Sequence, residues 1–98
     1  MHASKKNTLR IGVLGAAKIT PMALISPARR IDDVEVFAVA ARSADRAAKF
    51  ARRHRIPNVC ASYEELIQNV DVDAIYNPLP NSHHAYWSIE AMKAGKHV

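Results

Sequence analysis

The protein has 98 residues, of which 49% are hydrophobic and 23% are charged, and its formal net charge at pH 7 is +5. This composition is typical of one globular domain and excludes a disordered chain. The single cysteine excludes an internal disulfide and fits a cytoplasmic location, and no apolar run reaches the roughly 18 residues of a membrane span.

The N-terminal part of the sequence predicts a strand followed by a tight turn. Residues 1–8 are polar and are expected to form a mobile tail, whereas Leu9–Leu14 is apolar and predicts a buried strand. Gly15 permits a tight turn after that strand. The residues that follow it are Ala16, Ala17, Lys18 and Ile19. Only the first glycine of the G-x-G-x-x-G fingerprint is present, so a pyrophosphate-binding turn and a plain strand–helix connection both stay open.

A helix and a second strand are predicted next. Thr20 is placed to act as the N-cap and Pro21 as the first residue of the helix. Pro27 should end or kink that helix, because proline lacks the backbone N–H. Val34–Ala41 is rich in valine, alanine and phenylalanine, and it predicts the second strand.

A basic helix and a third strand follow. Ser43 is placed to cap the helix, and its apolar face is predicted to contain Ala47, Phe50 and Ala51. After a proline break, Val59–Ala61 predicts a short third strand.

The last third of the sequence continues the alternation. The stretch from Ser62 to Glu65 is a capping box and predicts a short helix to about Asn69, and Val72–Tyr76 predicts the fourth strand. Ser82 is placed to cap a final helix that Gly95 ends, and residues 97–98 would open a fifth strand. The apolar stripe of this helix is predicted at Ala85, Ile89 and Met92.

Strands that alternate with helices through short connections predict a parallel sheet with helices on both faces. The expected fold class is therefore α/β, with a Rossmann-type doubly wound parallel sheet. In such a sheet, ligands bind at the carboxyl ends of the strands. The connections after the first, second and fourth strands are thus the candidate site.

The connection after the second strand lacks the acidic residue that would bond the ribose 2′-hydroxyl of NAD. Arg42 and Ser43 stand there instead, and an arginine with a hydroxyl group suits a 2′-phosphate. Arg46, one helical turn later, is a further candidate. These residues favour NADP over NAD, with a solvated Arg42 and a purely capping Ser43 as the structural alternative.

Other chemistries have weaker sequence support. His83 and His84 are adjacent and point about 100° apart on a helix, with no cysteine or carboxylate near them in sequence, so no metal site is expected. The basic residues 42–55 could face nucleic acid, but their one aromatic, Phe50, belongs to the buried face and offers no stacking platform. We therefore expect neither nucleic acid nor membrane as a partner. The alternative function is a non-catalytic module that senses NAD(P) or a basic α/β module that binds nucleic acid.

Three stretches of the sequence together resemble one known family. They are IGVLGAAKI, VAARSADRAAKFA and DAIYNPLPNSHHAYWSIEAMKAGKHV, and the likeness runs from about Leu9 to Val98. They are similar to the nucleotide-binding half of the glucose–fructose oxidoreductase, inositol dehydrogenase and rhizopine-catabolism (Gfo/Idh/MocA) family. The Gly-Ala-Ala turn, the Ala-Arg-Ser triplet and Trp87 resemble the branch that contains glucose–fructose oxidoreductase, dimeric dihydrodiol dehydrogenase and NADP-dependent xylose dehydrogenase.

The resemblance implies an oxidoreductase that passes a hydride between a nicotinamide cofactor and a sugar, dihydrodiol or related alcohol. It implies that residues 15–19 bind the phosphates and that Arg42 and Ser43 bind the 2′-phosphate. The residues that it implies beside the nicotinamide and its ribose are Leu79, Pro80, Asn81 and His84. Packing is the expected role of Trp87.

The same family continues past this ending into a Glu-Lys-Pro motif, whose lysine is catalytic, and into a substrate-binding sheet domain. Residues 9–98 contain neither, so they are expected to be an incomplete NAD(P)-binding domain that is inactive alone and holds no catalytic residue. Lys96 matches residues that precede the motif and is not that lysine. The full-length protein is expected to form a homo-oligomer.

Overall fold

Strands and helices alternate along the part of the chain that the computed structural model describes, residues 8–18 and 20–98. Most of the predicted tail, residues 1–7, and the predicted phosphate-turn residue Ile19 lie outside the described residues. The strands are β1 (Leu9–Leu14), β2 (Val34–Ala40), β3 (Asn58–Val59) and β4 (Ala74–Tyr76). The helical elements are π1 (Pro21–Ile25), α1 (Ser26–Ala28), α2 (Ala44–His54), α3 (Tyr63–Gln68) and α4 (Asn81–Lys93).

The described strands form one parallel sheet in the order β3-β2-β1-β4. β1 lies at the centre and pairs with β2 on one side and with β4 on the other. Where a fifth strand is predicted, a single parallel bridge joins Ala74 to His97 beside β4. This topology confirms the predicted Rossmann-type sheet.

Helices cover both faces of this sheet. Val13 and Leu14 are adjacent in β1 and fully buried, yet they belong to different core clusters, because successive strand side chains point to opposite faces. One cluster consists of Leu14, Ala38, Ala40, Cys60, Leu66, Ile67, Val72, Ile75 and Ala91. The other consists of Val13, Ile25, Val39, Ala51 and Ile56. α3 and α4 therefore cover one face while π1 and α2 cover the other, which confirms the doubly wound arrangement.

The predicted apolar stripe of α4 is wrong. Ala85, Ile89 and Met92 are exposed, with 49% and 57% of the latter two accessible. The face that meets the sheet carries the fully buried Ala91 and the partly buried Trp87. The small Ala91 at the contact lets the helix approach closely, whereas Ile89 and Met92 remain outside. The spacing of apolar residues predicted a stripe on α4, but it did not identify the side of the helix that packs against the sheet.

Two predicted helix caps are also wrong. The Thr20 side chain makes no capping hydrogen bond, and its backbone is already helical, so its hydroxyl lies inside the fold rather than at a helix end. α4 begins one residue before Ser82, because the Pro80 carbonyl accepts the backbone N–H groups of His83 and His84, both at 2.9 Å. Ser43 and Ser62 do cap α2 and α3, as their sequence contexts predict.

Several predicted boundaries shift by one or two residues. β3 is Asn58–Val59 rather than Val59–Ala61, and β4 begins at Ala74 rather than Val72. Helical structure ends at Ala28, directly after Pro27, as proline predicts. The turn before it is π-helical, with the Ser26 N–H donating to the Pro21 carbonyl. Edge residues of a sheet carry few pairing signals, so their limits are poorly defined by sequence.

Candidate functional site

The candidate site lies at the carboxyl edge of the sheet, where the connections after β1, β2 and β4 meet. Switch points of this kind bind ligands in open α/β sheets, because the strand order reverses there and leaves a crevice between the connections. Here β1 and β4 are neighbours, and the chain leaves β1 toward β2 on its other side.

Gly15 forms the turn after β1 in a conformation that would strain any residue with a side chain. Its φ is +90°, a conformation that residues with a Cβ rarely adopt, and its N–H donates to the Ala40 carbonyl at 2.6 Å. A Cβ at this position would lie 3.2 Å from Leu79 Cδ2. The turn after β1 is therefore held against β2 and against the connection after β4.

These connections enclose a cleft of about 240 Å³. Its lining residues are Leu14, Gly15, Ala16, Ala17, Ala41, Arg42, Arg46, Tyr63, Pro78, Leu79 and Pro80. The fold thus brings together the predicted phosphate turn, both predicted arginines and two of the predicted nicotinamide-side residues. None of the lining residues is an aspartate or a glutamate, so the cleft is positively charged.

Arg42 and Arg46 supply that charge and are exposed. Among the described residues, neither arginine forms an ion pair. Ser43 lies between them in sequence but does not line the cleft: its Oγ caps α2 by accepting the Arg46 N–H at 3.4 Å. Both guanidinium groups are consequently available to an anionic ligand, whereas the Ser43 hydroxyl already has a structural partner.

A second cleft of about 420 Å³ continues from the first one. Its lining residues are Arg42, Tyr63, Leu79, Pro80, Ser82, His83 and Trp87. The ring of Tyr63 meets the ring of Trp87 edge-on, with centroids 5.3 Å apart, and both pack against the core cluster beneath α3 and α4. Trp87 therefore packs as expected, and it also forms part of a cleft wall.

Tyr63 carries no functional signal in the sequence, where it lies inside a capping box. In the structure it lines both clefts beside Arg42. Burial raises the pKa of the Tyr63 phenol, and the positive charges of Arg42 and Arg46 oppose that rise. The phenol therefore keeps its proton at neutral pH and is a hydrogen-bond donor there.

Asn77 is the second residue that sequence reasoning missed. Its Nδ2 donates to the His84 carbonyl at 3.0 Å and to Ser88 Oγ at 2.9 Å, and its Oδ1 accepts the Leu79 N–H at 3.1 Å. One side chain thus fixes the connection after β4 to the first turns of α4. The Asn-Pro pair at residues 77–78 was the available signal, because asparagine before proline favours a turn.

The remaining predicted site residues lie away from these two clefts. Asn81 and His84 are exposed on the first turn of α4 and line neither cleft; His83 lines the second one instead. Lys18 lines a separate cleft behind the turn, together with Arg53 and His54. Burial lowers the pKa of His54, and the charges of Arg53 and Arg29 lower it further.

Lys96 has structural partners of its own. Its Nζ donates to the carbonyls of Asn69 and Val72, both at 2.6 Å, and so ties the segment after α4 to the segment after α3. Lys96 therefore has a structural role, and its exclusion as the proton-transfer lysine stays a prediction.

The described residues lack two further kinds of feature. They contain no group of three or more histidine, cysteine, aspartate or glutamate side chains placed to hold a metal ion. Within residues 8–18 and 20–98, no helix combines the length and apolar character that a membrane crossing requires.

Comparison with known proteins gives a consistent match over this region. The family model described as an oxidoreductase family with an NAD-binding Rossmann fold (GFO_IDH_MocA) matches residues 9–98. A dTDP-3,4-didehydro-2,6-dideoxy-alpha-D-glucose 3-reductase of Actinomadura kijaniata is 40% identical over 97 residues, which are 99% of this chain and 29% of that protein. D-xylose 1-dehydrogenase (NADP(+)) 2 of Haloferax volcanii is 39% identical over 90 residues, covering 92% of this chain and 27% of that protein.

Solved structures agree with the sequence comparison. The crystal structure of a 3-ketoreductase from Actinomadura kijaniata, in complex with NADP and TDP-benzene, superimposes with a TM-score of 0.86 at 39% identity. The match covers 94% of this chain and 28% of that one. A probable dehydrogenase from Thermotoga maritima gives a TM-score of 0.82 at 29% identity, over 92% of this chain and 27% of that one. The chain thus spans less than a third of the length of the proteins that it matches.

Proposed function

This chain belongs to the Gfo/Idh/MocA family of oxidoreductases, and from that premise we propose that it is the NADP-binding part of an enzyme that transfers hydride to or from a sugar or related alcohol. The relatives named above support the cofactor and the substrate class, since one acts on a dTDP-sugar, another is an NADP-dependent D-xylose dehydrogenase, and a solved structure contains NADP. The substrate and the activity of the whole protein are part of this proposal.

One observation supports the proposal most directly: the cleft that joins the Gly15 turn to Arg42 and Arg46 contains no carboxylate. A carboxylate there would bond the ribose 2′-hydroxyl of NAD, whereas an arginine accommodates the 2′-phosphate of NADP. The cleft fits the cofactor, because its glycine leaves the backbone accessible and its charge complements phosphate groups. We assign the phosphates to residues 15–19 and the 2′-phosphate to the two arginines, with Ser43 beside them.

The chemistry of hydride transfer would be supplied by the bound nicotinamide, and this chain's residues would hold and orient it. Leu79 and Pro80 line both clefts and would form an apolar wall for the cofactor. Asn77 would keep that wall in place through its three hydrogen bonds. Asn81 and His84 stay proposed neighbours of the nicotinamide ribose. We assign no proton-transfer residue within the chain.

Replacing Arg42 by Asp tests the cofactor assignment. A charge-assisted, bidentate contact with phosphate is worth about 1.5–3 kcal/mol, so we expect the Kd for NADPH to rise about tenfold to a hundredfold and the Kd for NADH to change much less. Trp87 is the sole tryptophan and lines the second cleft, so quenching of its fluorescence measures both titrations.

Arg52→Asp is the matched control, because Arg52 is an exposed arginine on α2 that lines neither cleft. It makes the same change in net charge and should leave the ratio of the two Kd values near that of the unmodified protein. Equal losses for NADPH and NADH in Arg42→Asp would show that Arg42 does not contact the 2′-phosphate. No binding of either nucleotide to the unmodified protein would reject the whole proposal.

The remaining parts of the proposal concern assembly and location. We propose that the full-length protein is a cytoplasmic homo-oligomer that takes neither nucleic acid nor membrane as a partner. Exposed apolar side chains on α4, such as Ile89 and Met92, support a contact with another protein surface. The thiol of Cys60 is free and buried, which fits the proposed location. Sedimentation of the full-length protein would measure its assembly, and a sedimentation coefficient of a monomer would contradict this part.

A further inference from the structure

Tyr63 occupies a rigid position between the two clefts. It is the first residue of α3, directly after the capping residue Ser62, whose Oγ accepts the Glu65 N–H at 3.0 Å. Its ring meets the Trp87 ring edge-on at 5.3 Å and packs against the core. The capped helix and the aromatic contact together fix where the phenol points.

The hydroxyl group of Tyr63 is directed to the turn after β1. It would lie 3.8 Å from a Cβ at Gly15, so it approaches the glycine on the side that faces the cleft. Among the described residues, no hydrogen bond to this hydroxyl is formed. A half-buried phenol with no partner within residues 8–18 and 20–98, at the edge of a cleft, is available to a ligand.

The charges that face this hydroxyl come from two arginines. Arg42 and Arg46 line the first cleft beside Tyr63, and both act on the phenol electrostatically. Lys18, by contrast, lines the cleft behind the turn, which Tyr63 does not line. The phenol is therefore grouped with the arginines after β2, where a 2′-phosphate is expected, rather than with the lysine of the turn.

We propose that Tyr63 determines cofactor specificity: its O–H donates a hydrogen bond to the 2′-phosphate of NADP and so completes a site with Arg42 and Arg46. This inference rests on the proposed function, since it needs the dinucleotide to bind in the first cleft. Tyr63 would add a neutral hydrogen-bond donor to the two exposed arginine side chains. Because packing holds this donor in place, binding would depend on the position of the phosphate group as well as on its charge.

Tyr63→Phe tests this role, because it removes the hydroxyl and retains the ring that packs on Trp87. We expect the Kd for NADPH and for adenosine 2′,5′-bisphosphate to rise about tenfold, as for a hydrogen bond to a charged group. The Kd values for NADH and for 5′-AMP should change by less than about twofold. Titrations monitored by Trp87 fluorescence or by calorimetry measure all four ligands, and thermal unfolding shows whether the variant remains folded.

Tyr86→Phe is the matched control. The ring of Tyr86 also contacts Trp87 edge-on, with centroids 4.9 Å apart, but Tyr86 is exposed on α4 and lines neither cleft. The same loss of a hydroxyl there should leave all four Kd values unchanged. A matching loss in Tyr86→Phe would mean that the effect arises through the tryptophan.

The outcomes separate this inference from the function on which it rests. If the unmodified protein binds neither nucleotide, the proposed function fails and the role of Tyr63 fails with it. If the unmodified protein prefers NADPH but Tyr63→Phe keeps that preference, the proposed function holds and the inference is wrong. Equal losses for NADPH and NADH would likewise overturn it, because they would indicate a general contact with the adenosine half.

Discussion

At the scale of single residues, the two glycines of the first strand and turn are required for different reasons. Gly15 has a positive φ and supports the turn that faces the cleft. Gly12 is inside β1 and lies under α3 and the segment before β4: a Cβ there would be 2.6 Å from Leu66 Cδ2 and 3.1 Å from Val72 Cγ1. Gly12 therefore allows close packing of helix on strand, a role that the fingerprint normally gives to its third glycine.

Gly12→Ala should destabilise the protein without altering the site itself. Leu66 is fully buried, so it has little freedom to move away from the added methyl group. Overpacking of this kind costs about 1–3 kcal/mol, and we expect the free energy of unfolding to fall by that amount. For a domain of this size, each kcal/mol lowers Tm by about 4–8 °C, which thermal unfolding would measure.

Combining this change with Leu66→Ala provides the control. The smaller side chain removes the atom that would clash, so the double variant should lose less stability than the sum of the two single variants. Additive losses would show that the Gly12 methyl group is accommodated elsewhere and that the contact with Leu66 is not the reason for glycine.

At the scale of elements, α4 shows where periodicity succeeds and where it fails. Ser82 and Gly95 predicted a helix of nearly the right extent, but the face toward the sheet carries Ala91 and Trp87 instead of the predicted stripe. Tyr86, Ile89 and Met92 are exposed by 58%, 49% and 57%, whereas Ala91 is fully buried. Apolar and polar residues are interleaved around the helix, so no single stripe stands out, and the position of the sheet decides which side is covered.

The connection that leads into α4 is held in place by one side chain, that of Asn77. Asn77→Ala removes three hydrogen bonds and leaves partners such as Ser88 Oγ without a donor. We expect the free energy of unfolding to fall by about 1–3 kcal/mol and the Kd for NADPH to rise, because Leu79 and Pro80 would no longer be fixed against the cleft. Chemical denaturation and the Trp87 titration measure the two effects.

Asn69→Ala separates stability from site geometry. Asn69 Oδ1 accepts the Asp71 N–H at 2.8 Å in a connection that lines neither cleft. Its loss should reduce stability but leave NADPH affinity as it is. An Asn77→Ala protein that binds NADPH normally would contradict the idea that this asparagine positions the cofactor wall.

At the scale of the whole molecule, the described residues pack as one unit with a charged edge. Their radius of gyration is 12.6 Å, close to the ~13 Å expected for a compact domain of 100 residues. The formal net charge of +5 is concentrated in part on α2, which begins beside the site and carries Arg46 toward it. A positive field at this edge should attract phosphate groups in general.

This field predicts a different salt dependence for the two cofactors. NADPH carries one more phosphate group than NADH, so raising NaCl from about 0.05 to about 0.5 M should weaken NADPH binding severalfold more than NADH binding, because salt screens exposed charges. In Arg42→Asp the two dependences should become similar. Titrations at several salt concentrations measure both, and parallel dependences in the unmodified protein would show that the extra phosphate does not meet the arginines.

The alternation of strands and helices, the buried strands, the caps at Ser43 and Ser62 and the glycine at position 15 could all be predicted from sequence. Each depends on local physics: side-chain period, backbone conformation, or a hydroxyl that bonds a nearby N–H group. The absence of a carboxylate after the second strand could equally be recognised from sequence, because the position of a ribose-binding acid is defined by its distance from the glycine turn.

The tertiary structure alone decided which residues share a cleft and which face of a helix is covered. Tyr63 and Arg42 are far apart in sequence, and no local pattern links them, yet both line the same two clefts because α3 begins and β2 ends at one edge of the sheet. Ile89 and Met92 are exposed for the same reason: the packing of α4 on the sheet decides which side of the helix is covered. Contacts between distant segments depend on how the elements pack, and a period or a motif in one segment carries no information about its neighbour across the fold.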